Sequence, residues 1–252
     1  MFDPLPAAAG RTSPWAFGRY EAVRHRLPEA TFHTAPVFAE HLEDVADRFD
    51  GFVLDAFGVL NIGDTAVPDA PERMAALRAM GKRLVVLTNG ATQPHAAAVE
   101  KYRRFGFDFA FEEVVSSREI AADHLEEVTS GALWGAACGP TDTFEDIEAD
   151  VADLMADESL YERADAFLFL SSARWGPQHQ ARLASALARK PRPLVVANPD
   201  LVAPFETSLS LEPGAYAHAL ADQGLVEPRF FGKPFQEAFV AAADRLAAPP
   251  ER

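Results

Sequence analysis

The sequence predicts an α/β fold in which a doubly wound parallel sheet is covered by helices on both faces. Two short apolar runs, at 52–54 and 83–88, have the length of buried strands. Each precedes a stretch whose start and end residues predict a helix, at 69–80 and 94–106. Strands that are apolar throughout and alternate with helices are typical of a parallel sheet that has two covered faces.

The chain ahead of the first strand is predicted in two parts. Prolines and glycines recur through residues 1–35, which predicts an irregular N-terminal extension that packs on the core through Trp15, Phe17 and Tyr20. Apolar residues between 37 and 49 follow helical spacing, so a helix is expected to lead into the strand.

Cap residues locate several helix ends. Asp69 is in position to cap the helix at 69–80, and Gly81 is in position to end it. Ser116 and Glu119 have the spacing of a capping box, which predicts the start of another helix.

The second half of the chain continues the alternation. The predicted strands are 132–138, 166–170, 193–197 and 229–231, and the predicted helices are 177–190, 215–223 and 235–247. An acidic run at 146–157 predicts a further helix with a solvated face rather than a metal cluster.

Composition excludes several classes of partner. The 252-residue chain is 48% hydrophobic and has a formal net charge of −15, which argues against nucleic acid and anionic membranes. Cys138 is the only cysteine, so no internal disulfide can form and a cytoplasmic location fits. No apolar run reaches the roughly 18–20 residues of a membrane span. Residues 1–10 lack the pattern of a signal peptide.

Three polar residues stand where predicted strands end, namely Asp55, Thr88 and Lys233. The carboxyl ends of parallel strands lie along one edge of a sheet, so these residues can converge there. Taken singly, each has a plainer interpretation: Asp55 as a turn residue, Thr88 in a strand-to-helix turn, and Lys233 in a surface loop. A strand-end Asp can also act as a nucleophile toward phosphorus when a cation screens it from the phosphate.

Other catalytic patterns are missing from the sequence. The seven histidines show no HxH or HExxH spacing, which argues against zinc. There is no GxGxxG fingerprint of a nicotinamide-dependent enzyme, no Walker A motif and no GxSxG elbow of a serine hydrolase.

The three candidates stand in motifs that resemble those of the haloacid dehalogenase superfamily of phosphohydrolases. Residues 55–60 match its first motif, Asp-x-Asp-Gly-(Val/Thr)-(Leu/Ile), except at Phe57. Residues 87–90 resemble its second motif, a strand that ends in Thr or Ser, and residues 232–234 resemble its third, Gly-Lys-Pro.

A further motif resembles the class IIA, or NagD-like, branch of that superfamily. It is the run Asn198-Pro199-Asp200, which precedes a helix that begins near Gly214 and Ala215. The resemblance implies a Rossmann-like core at 36–116 and 205–252, an inserted α/β cap at 117–204, and an N-terminal extension at 1–35. Proteins of this branch are often dimers, so a homodimer is an option that the resemblance implies.

The resemblance also implies roles for individual residues. Asp55 would attack phosphorus and ligate Mg²⁺, and the backbone carbonyl of Phe57 would be a second metal ligand. Thr88, Asn89 and Gly90 would bind the phosphate. Lys233 would offset the charge between phosphate and Asp55, and the cap would contact the rest of the substrate near Asn198 and Asp200.

Two departures from the family pattern affect the expected activity. Phe57 occupies the position of the general acid/base, and a phenyl ring cannot transfer protons. Asp64, in the following turn, is a speculative substitute. The fourth motif, which carries a further metal ligand, does not occur before the sequence ends at 249–252, so a truncated core is expected.

Two functional hypotheses follow. The first is a Mg²⁺-dependent phosphatase that hydrolyses a small phosphomonoester, a phosphorylated metabolite, through an aspartyl-phosphate intermediate. The second is a non-catalytic phospholigand-binding or regulatory protein that kept the pocket and lost the acid.

Overall fold

The protein contains two parallel sheets that are flanked by helices. The computed structural model describes residues 5–31, 38–204 and 209–248. Two of the sequence predictions involve residues outside these ranges. They are the helix predicted at 37–49, which includes Val37, and the truncated core expected at 249–252. The predicted α/β class with parallel sheets is confirmed.

The described part of the chain contains twelve strands and nine α-helices. The strands are β1 (Gly51–Leu54), β2 (Asn61–Ile62), β3 (Thr65–Ala66), β4 (Arg83–Thr88), β5 (Val114–Ser116), β6 (Leu133–Ala137), β7 (Asp150–Asp153), β8 (Ala166–Phe169), β9 (Leu194–Val196), β10 (Val202–Pro204), β11 (Leu209–Leu211) and β12 (Arg229–Phe230). The helices are α1 (Ser13–Val23), α2 (Ala70–Ala79), α3 (His95–Arg104), α4 (Ser117–Asp123), α5 (Leu125–Val128), α6 (Leu160–Arg163), α7 (Pro177–Arg189), α8 (Pro213–Asp222) and α9 (Gln236–Leu246).

The first sheet carries the first two motifs. Its strand order is β1-β4-β5, and both pairs are parallel. Leu54 pairs with Val86, and Thr88 pairs with Ser116. The carboxyl ends of the three strands therefore lie together, which brings the residue after β1, Asp55, close to the end of β4.

The second sheet contains five parallel strands in the order β12-β9-β8-β6-β7. Neighbouring side chains of β8 alternate between its two faces. Phe167 and Phe169 pack in one apolar cluster, while Leu168 packs in another with Trp134 of β6. Apolar layers thus cover both faces of this sheet, and Trp134 is buried.

Strand β12 belongs to the second sheet, since Phe230 pairs with Val196 of β9 in parallel register. The sequence assigned residues 205–252 to the core and placed the end of the cap at 204. A two-residue strand carries no pattern that indicates which of two sheets it joins, and only the register with β9 reveals it. Lys233 therefore follows directly after the last strand of the second sheet.

The described part of the N-terminal extension contains helix α1, so the prediction of an irregular segment was wrong for residues 13–23. Helix α1 begins after Thr12, whose side chain accepts a hydrogen bond from the Trp15 N–H, and Pro14 occupies its first turn. Trp15 and Tyr20 pack against the second sheet as predicted, whereas Phe17 is 70% exposed. Prolines that suggested irregular structure are compatible with a helix when they stand at its start.

Other local predictions also needed correction. The acidic run at 146–157 contains strand β7 and no helix. The described part of the predicted helix at 37–49 is a 3-10 helix at Leu42–Arg48. Asp69 precedes α2 but makes no side-chain cap, because its backbone is left-handed, with φ of 62°. Ser116 does cap α4, since its hydroxyl accepts from the backbone N–H of Glu119.

None of the helices in the described ranges combines the length and the apolar character that a membrane span requires.

A buried histidine in α8 makes stability depend on pH. His218 is 1% exposed, its ring stacks on Phe230 with centroids 4.6 Å apart, and its Nδ1 has no hydrogen-bond partner among the described residues. Burial, together with the nearby Arg26 and Arg19, lowers its pKa from 6.5 to about 4. Between these pH values the unfolded chain binds a proton that the folded chain does not, so stability falls as the pH falls.

We expect His218→Leu to remove this pH dependence. Wild type should lose about 2 kcal/mol more stability than the variant between pH 7.5 and pH 5, the amount that a histidine with these two pKa values contributes. Urea unfolding of both proteins at the two pH values measures the difference. Parallel pH profiles for the two proteins would contradict the assignment.

Candidate functional site

The turn after β1 presents a carboxylate to solvent. Asp55 follows Leu54, the buried last residue of the strand, and its own side chain is 47% exposed. Its Oδ1 accepts a hydrogen bond of 2.7 Å from the Ala56 N–H. Gly58 closes the turn with φ of 86°, and its N–H donates to the Asn61 carbonyl at 2.7 Å. The left-handed conformation at this position favours glycine.

Lys233 contacts this carboxylate directly. Its Nζ donates to Asp55 Oδ1 at 2.7 Å and to the carbonyl of Leu87 at 2.5 Å. The ammonium group thus joins the ends of β1 and β4 to the loop after β12. The structure therefore brings together residues that lie 178 positions apart in the sequence.

Asn89 fixes the position of Lys233. Its side-chain oxygen accepts from the Lys233 N–H at 2.7 Å, and its Nδ2 donates to the Lys233 carbonyl at 2.9 Å. Gly232 is required beside it, because its φ is 115° and a Cβ there would lie 2.7 Å from Asn89 Oδ1. The Asn89 amide therefore serves to hold the lysine loop in place.

The loop after β4 is tied to helix α3. Thr88 Oγ1 accepts from the Gly90 N–H at 3.0 Å and hydrogen-bonds with the hydroxyl of Tyr102. Burial raises the pKa of Tyr102 to about 12, so this hydroxyl stays neutral. The sequence prediction did not include Tyr102, because this residue lies within helix α3 and belongs to none of the sequence motifs.

A buried arginine anchors the same loop from behind. The Arg118 guanidinium is fully buried and donates to both carboxylates of Asp142 and Asp146, and also to the Ala91 carbonyl at 3.3 Å. Asp146 in turn accepts from the backbone N–H of His95 at 3.0 Å. The position of residues 88–95 thus depends on this ion cluster.

The segment after β9 adds two carboxyl groups to the site. Asp200 accepts from Asn89 Nδ2 at 3.0 Å. Asn198 Oδ1 accepts from the Asp200 N–H at 3.0 Å, and Asn198 Nδ2 donates to Glu212 at 3.2 Å. Glu212 was missed by the sequence prediction, although it stands directly before Pro213, where helix α8 begins.

The N-terminus of α8 touches the turn that carries Asp200. A Cβ at Gly214 would lie 2.1 Å from the backbone carbonyl of Pro199. Only glycine permits this approach of the helix to the turn, which explains why a glycine follows Pro213.

All the predicted site residues line one cavity of about 440 Å³. They are Asp55, Phe57, Thr88, Asn89, Gly90, Asn198, Asp200 and Lys233. Glu212, Tyr102 and Lys101 line it as well. The cavity therefore lies between the carboxyl ends of the first sheet and the segment from β9 to α8.

The position that departs from the family motif faces the same cavity. Phe57 is 36% exposed, and its ring offers no proton. Asp64 is not among the lining residues, and its charge acts on Lys101. Its suggested role as a substitute acid is therefore not supported by its position.

The oxygen donors at the turn fit a Mg²⁺ ion that shares its ligands with phosphate and water. Mg²⁺ binds through one or two carboxylates, and substrate oxygens and waters complete its octahedron. Asp55 supplies a carboxylate. The carbonyl oxygens of Ala56 and Asn61 accept the hydrogen bonds of the turn. The backbone carbonyl oxygen of Phe57 is therefore a candidate for the second metal ligand. In the described ranges, no cluster of three His, Cys, Asp or Glu side chains forms an all-protein metal site.

Comparison with known proteins matches part of the chain to a family model. Residues 52–148 match the model of the haloacid dehalogenase-like hydrolases. Glycerol-3-phosphate phosphatase from Homo sapiens is 48% identical over 69 residues, which are 27% of this chain. That match covers 22% of the length of the human protein.

Solved structures extend the likeness to most of the chain. A possible sugar phosphatase of the HAD superfamily from Cytophaga hutchinsonii has a TM-score of 0.73 and 20% identity, over 84% of this chain and 77% of that one. A glycerol phosphate phosphatase from Mycobacterium tuberculosis, in complex with magnesium, has a TM-score of 0.66 and 23% identity. The alignment covers 81% of this chain and 60% of the mycobacterial chain. At these identities the likeness shows the fold.

Residues 52–148 are thus similar to the haloacid dehalogenase-like hydrolases, and most of the chain shares its fold with solved structures that include a putative NagD protein. These matches confirm the resemblance that the three motifs and the Asn198-Pro199-Asp200 run indicated.

Proposed function

We propose that the chain is a phosphatase that transfers the phosphoryl group of a small phosphomonoester to Asp55 and then to water. One observation carries this proposal: Asp55, Lys233 and the loop at 88–90 converge in one cavity although they are distant in sequence. Relatives whose names describe phosphatases support the reaction class. The compact cavity supports a small phosphorylated metabolite as the substrate class.

The residues of the site have distinct roles in this reaction. Asp55 supplies the attacking oxygen, and its 47% exposure leaves it accessible to a phosphate. The Lys233 ammonium, held by Asn89, offsets negative charge on the transferring group, which is the main catalytic device in phosphoryl transfer. Thr88 Oγ1 and the N–H groups of Asn89 and Gly90 bind phosphate oxygens. Asn198 and Asp200 contact the remainder of the substrate.

Mg²⁺ is the metal that the oxygen donors of Asp55 and Phe57 favour. When bound, it would neutralise part of the charge that keeps a phosphate away from a carboxylate. We further propose a cytoplasmic location, which suits a chain whose single cysteine, Cys138, is buried and unpaired. A homodimer also remains a proposal.

A second candidate function is phospholigand binding without turnover. The observation that favours it is Phe57, which lines the cavity at the position of the family's proton donor. General acid–base catalysis contributes about 10²–10⁴-fold to a rate. A protein without any substitute donor would bind phosphate and release product very slowly.

Phosphate release from a panel of phosphomonoesters separates the two functions. The panel contains glycerol 3-phosphate, phosphoglycolate and p-nitrophenyl phosphate, each assayed with Mg²⁺ and with EDTA. We expect turnover that requires Mg²⁺ and is abolished in Asp55→Asn, because the amide is not a nucleophile toward phosphorus. Asp64→Asn is the matched control and should retain wild-type activity.

Absence of turnover on every substrate would contradict the phosphatase proposal. Binding of inorganic phosphate, measured by calorimetry on the same preparation, would then support the binding function. Turnover that persists in Asp55→Asn would assign the nucleophile to another residue.

A further inference from the structure

The proposed reaction leaves one proton without a source. An alkyl phosphate releases an alkoxide unless its leaving oxygen is protonated as the P–O bond breaks. Phe57 cannot give this proton, and Asp55 is consumed as the nucleophile. A donor for the leaving group must therefore come from another side chain that lines the cavity.

Two carboxyl groups of the segment from β9 to α8, those of Asp200 and Glu212, line the cavity. Asn198 links the two residues, since its Oδ1 accepts from the backbone N–H of Asp200 and its Nδ2 donates to Glu212 Oε2. Asp200 is connected to the catalytic lysine through Asn89, which donates to Asp200 Oδ1 at 3.0 Å and to the Lys233 carbonyl at 2.9 Å. The Asp200 carboxyl group is thus positioned by the same amide that positions Lys233.

Charge and burial favour a proton on this pair. Burial raises the pKa of Asp200, and the negative charge of Asp55 raises it further, against the effects of Asn89 and Lys233. Burial also raises the pKa of Glu212, and the charge on Asp200 adds to this effect. Two neighbouring carboxyl groups cannot both ionise without a large cost, so such a pair retains one proton.

The remaining groups that face Asp200 do not remove this proton. Lys233 is paired with Asp55 at 2.7 Å. Tyr20 of α1 accepts from the Leu201 N–H, and burial raises the pKa of its hydroxyl, which therefore stays neutral. Lys101 also lines the cavity, and burial lowers its pKa.

The hydrogen bonds distinguish the two members of the pair. Both oxygens of Glu212 are engaged, Oε1 by Ser210 Oγ at 2.5 Å and Oε2 by Asn198. In the described part of the chain, the hydrogen bond from Asn89 reaches Oδ1 of Asp200, and its Oδ2 accepts no hydrogen bond. Asp200 Oδ2 is therefore the oxygen that can present a proton to a ligand.

We propose that the Asp200–Glu212 carboxyl pair replaces the missing acid, with Asp200 as the catalytic proton donor to the leaving oxygen and Glu212 as its positioning partner. This inference rests on the phosphatase function proposed above. It assigns a chemical role to a residue for which the family resemblance implied only substrate contact.

The proposed steps conserve atoms and charge. An Asp55 oxygen forms a bond to phosphorus while the bond from phosphorus to the leaving oxygen breaks. The leaving oxygen takes the proton of Asp200, which gives a free alcohol, an aspartyl phosphate and an ionised Asp200. Water then attacks phosphorus, Asp200 takes a proton from that water, and phosphate and the Asp55 carboxylate are released.

Leaving-group dependence tests the role of Asp200. Single-turnover rates of Asp200→Asn and wild type are compared on p-nitrophenyl phosphate and on the alkyl phosphate that wild type hydrolyses fastest. We expect a loss of about 10²–10⁴-fold on the alkyl phosphate, the usual value of general acid catalysis. Nitrophenolate leaves without protonation, so its release in the first turnover should fall by less than about 10-fold.

Glu212→Gln tests the pair through its pH dependence. Without the neighbouring charge, Asp200 should lose its proton at lower pH, so the basic limb of the single-turnover profile should shift to lower pH. A residue with only a structural role would lower the rate without moving this limb. Circular dichroism and thermal unfolding establish that both variants are folded.

The outcomes separate this inference from the proposed function. Wild-type turnover that depends on Asp55, with equal losses on both substrates in Asp200→Asn, would overturn the proton donor and leave the phosphatase intact. Unchanged rates in Asp200→Asn would also overturn the proton donor alone. A wild type that hydrolyses p-nitrophenyl phosphate and no alkyl phosphate would have the same meaning. A wild type without any turnover would remove both.

Discussion

Replacing Arg118 with methionine is expected to lower the free energy of unfolding by about 3–5 kcal/mol, the cost of removing one partner from a buried ion cluster. Arg118 and Asp142 have fully buried side chains, and Asp146 is 21% exposed. Methionine fills much of the space but leaves two carboxylates without their cation. Urea unfolding at pH 7 measures the difference from wild type.

A surface ion pair provides the matched control for this substitution. Arg163 pairs with Asp157 at 2.8 Å, and their side chains are 57% and 48% exposed. Arg163→Met should cost no more than about 1 kcal/mol, because exposed pairs contribute little. Equal losses in the two variants would show that burial of the Arg118 cluster has no energetic consequence.

The Arg118 cluster also explains one error in the sequence prediction. The acidic run at 146–157 was interpreted as the solvated face of a helix. Instead, Asp146 accepts from a buried arginine, and hydrogen bonds from Arg118 hold the pKa of its carboxyl below the ordinary value against the effect of burial. Sequence spacing shows that charges are close along the chain, but not that a cation 28 positions away neutralises them.

Parallel strands were the part of the fold that the sequence predicted well. Runs such as 83–88 and 166–170 are apolar because both faces of their sheets are covered, and that property is visible in the residues themselves. The two antiparallel strand pairs β2–β3 and β10–β11 escaped prediction because strands of two or three residues have no measurable alternation. The prediction could not assign β12 to a sheet, because register is a property of two paired strands and not of one strand alone.

The residues of the candidate site also fall into two groups, those that the sequence predicted and those that it missed. Asp55, Thr88 and Lys233 were found because strand ends mark the ligand edge of a parallel sheet. Tyr102 and Glu212 reach the cavity through tertiary packing, and neither belongs to a motif that spacing can detect. Their roles depend on burial and on hydrogen-bond partners, which only the folded chain provides.

The contact between Lys233 and Asp55 has a consequence for phosphate binding. The Lys233 side chain is 23% exposed, and its Nζ lies between Asp55 Oδ1 and the Leu87 carbonyl. Methionine at position 233 would keep the length of the side chain and remove its charge. A phosphate would then meet the Asp55 carboxylate with no ammonium group in contact with either.

We expect Lys233→Met to lower kcat/KM on p-nitrophenyl phosphate by about 10²–10³-fold, the usual effect of removing one preorganised group that stabilises transition-state charge. Inorganic phosphate should also become a weaker competitive inhibitor. Lys101→Met is the control, since Lys101 lines the same cavity but stacks on Phe105 at 5.5 Å rather than contacting Asp55. Similar losses in both variants would mean that overall cavity charge, rather than the Lys233–Asp55 contact, governs turnover. Wild-type kcat/KM in Lys233→Met would remove the lysine from the mechanism.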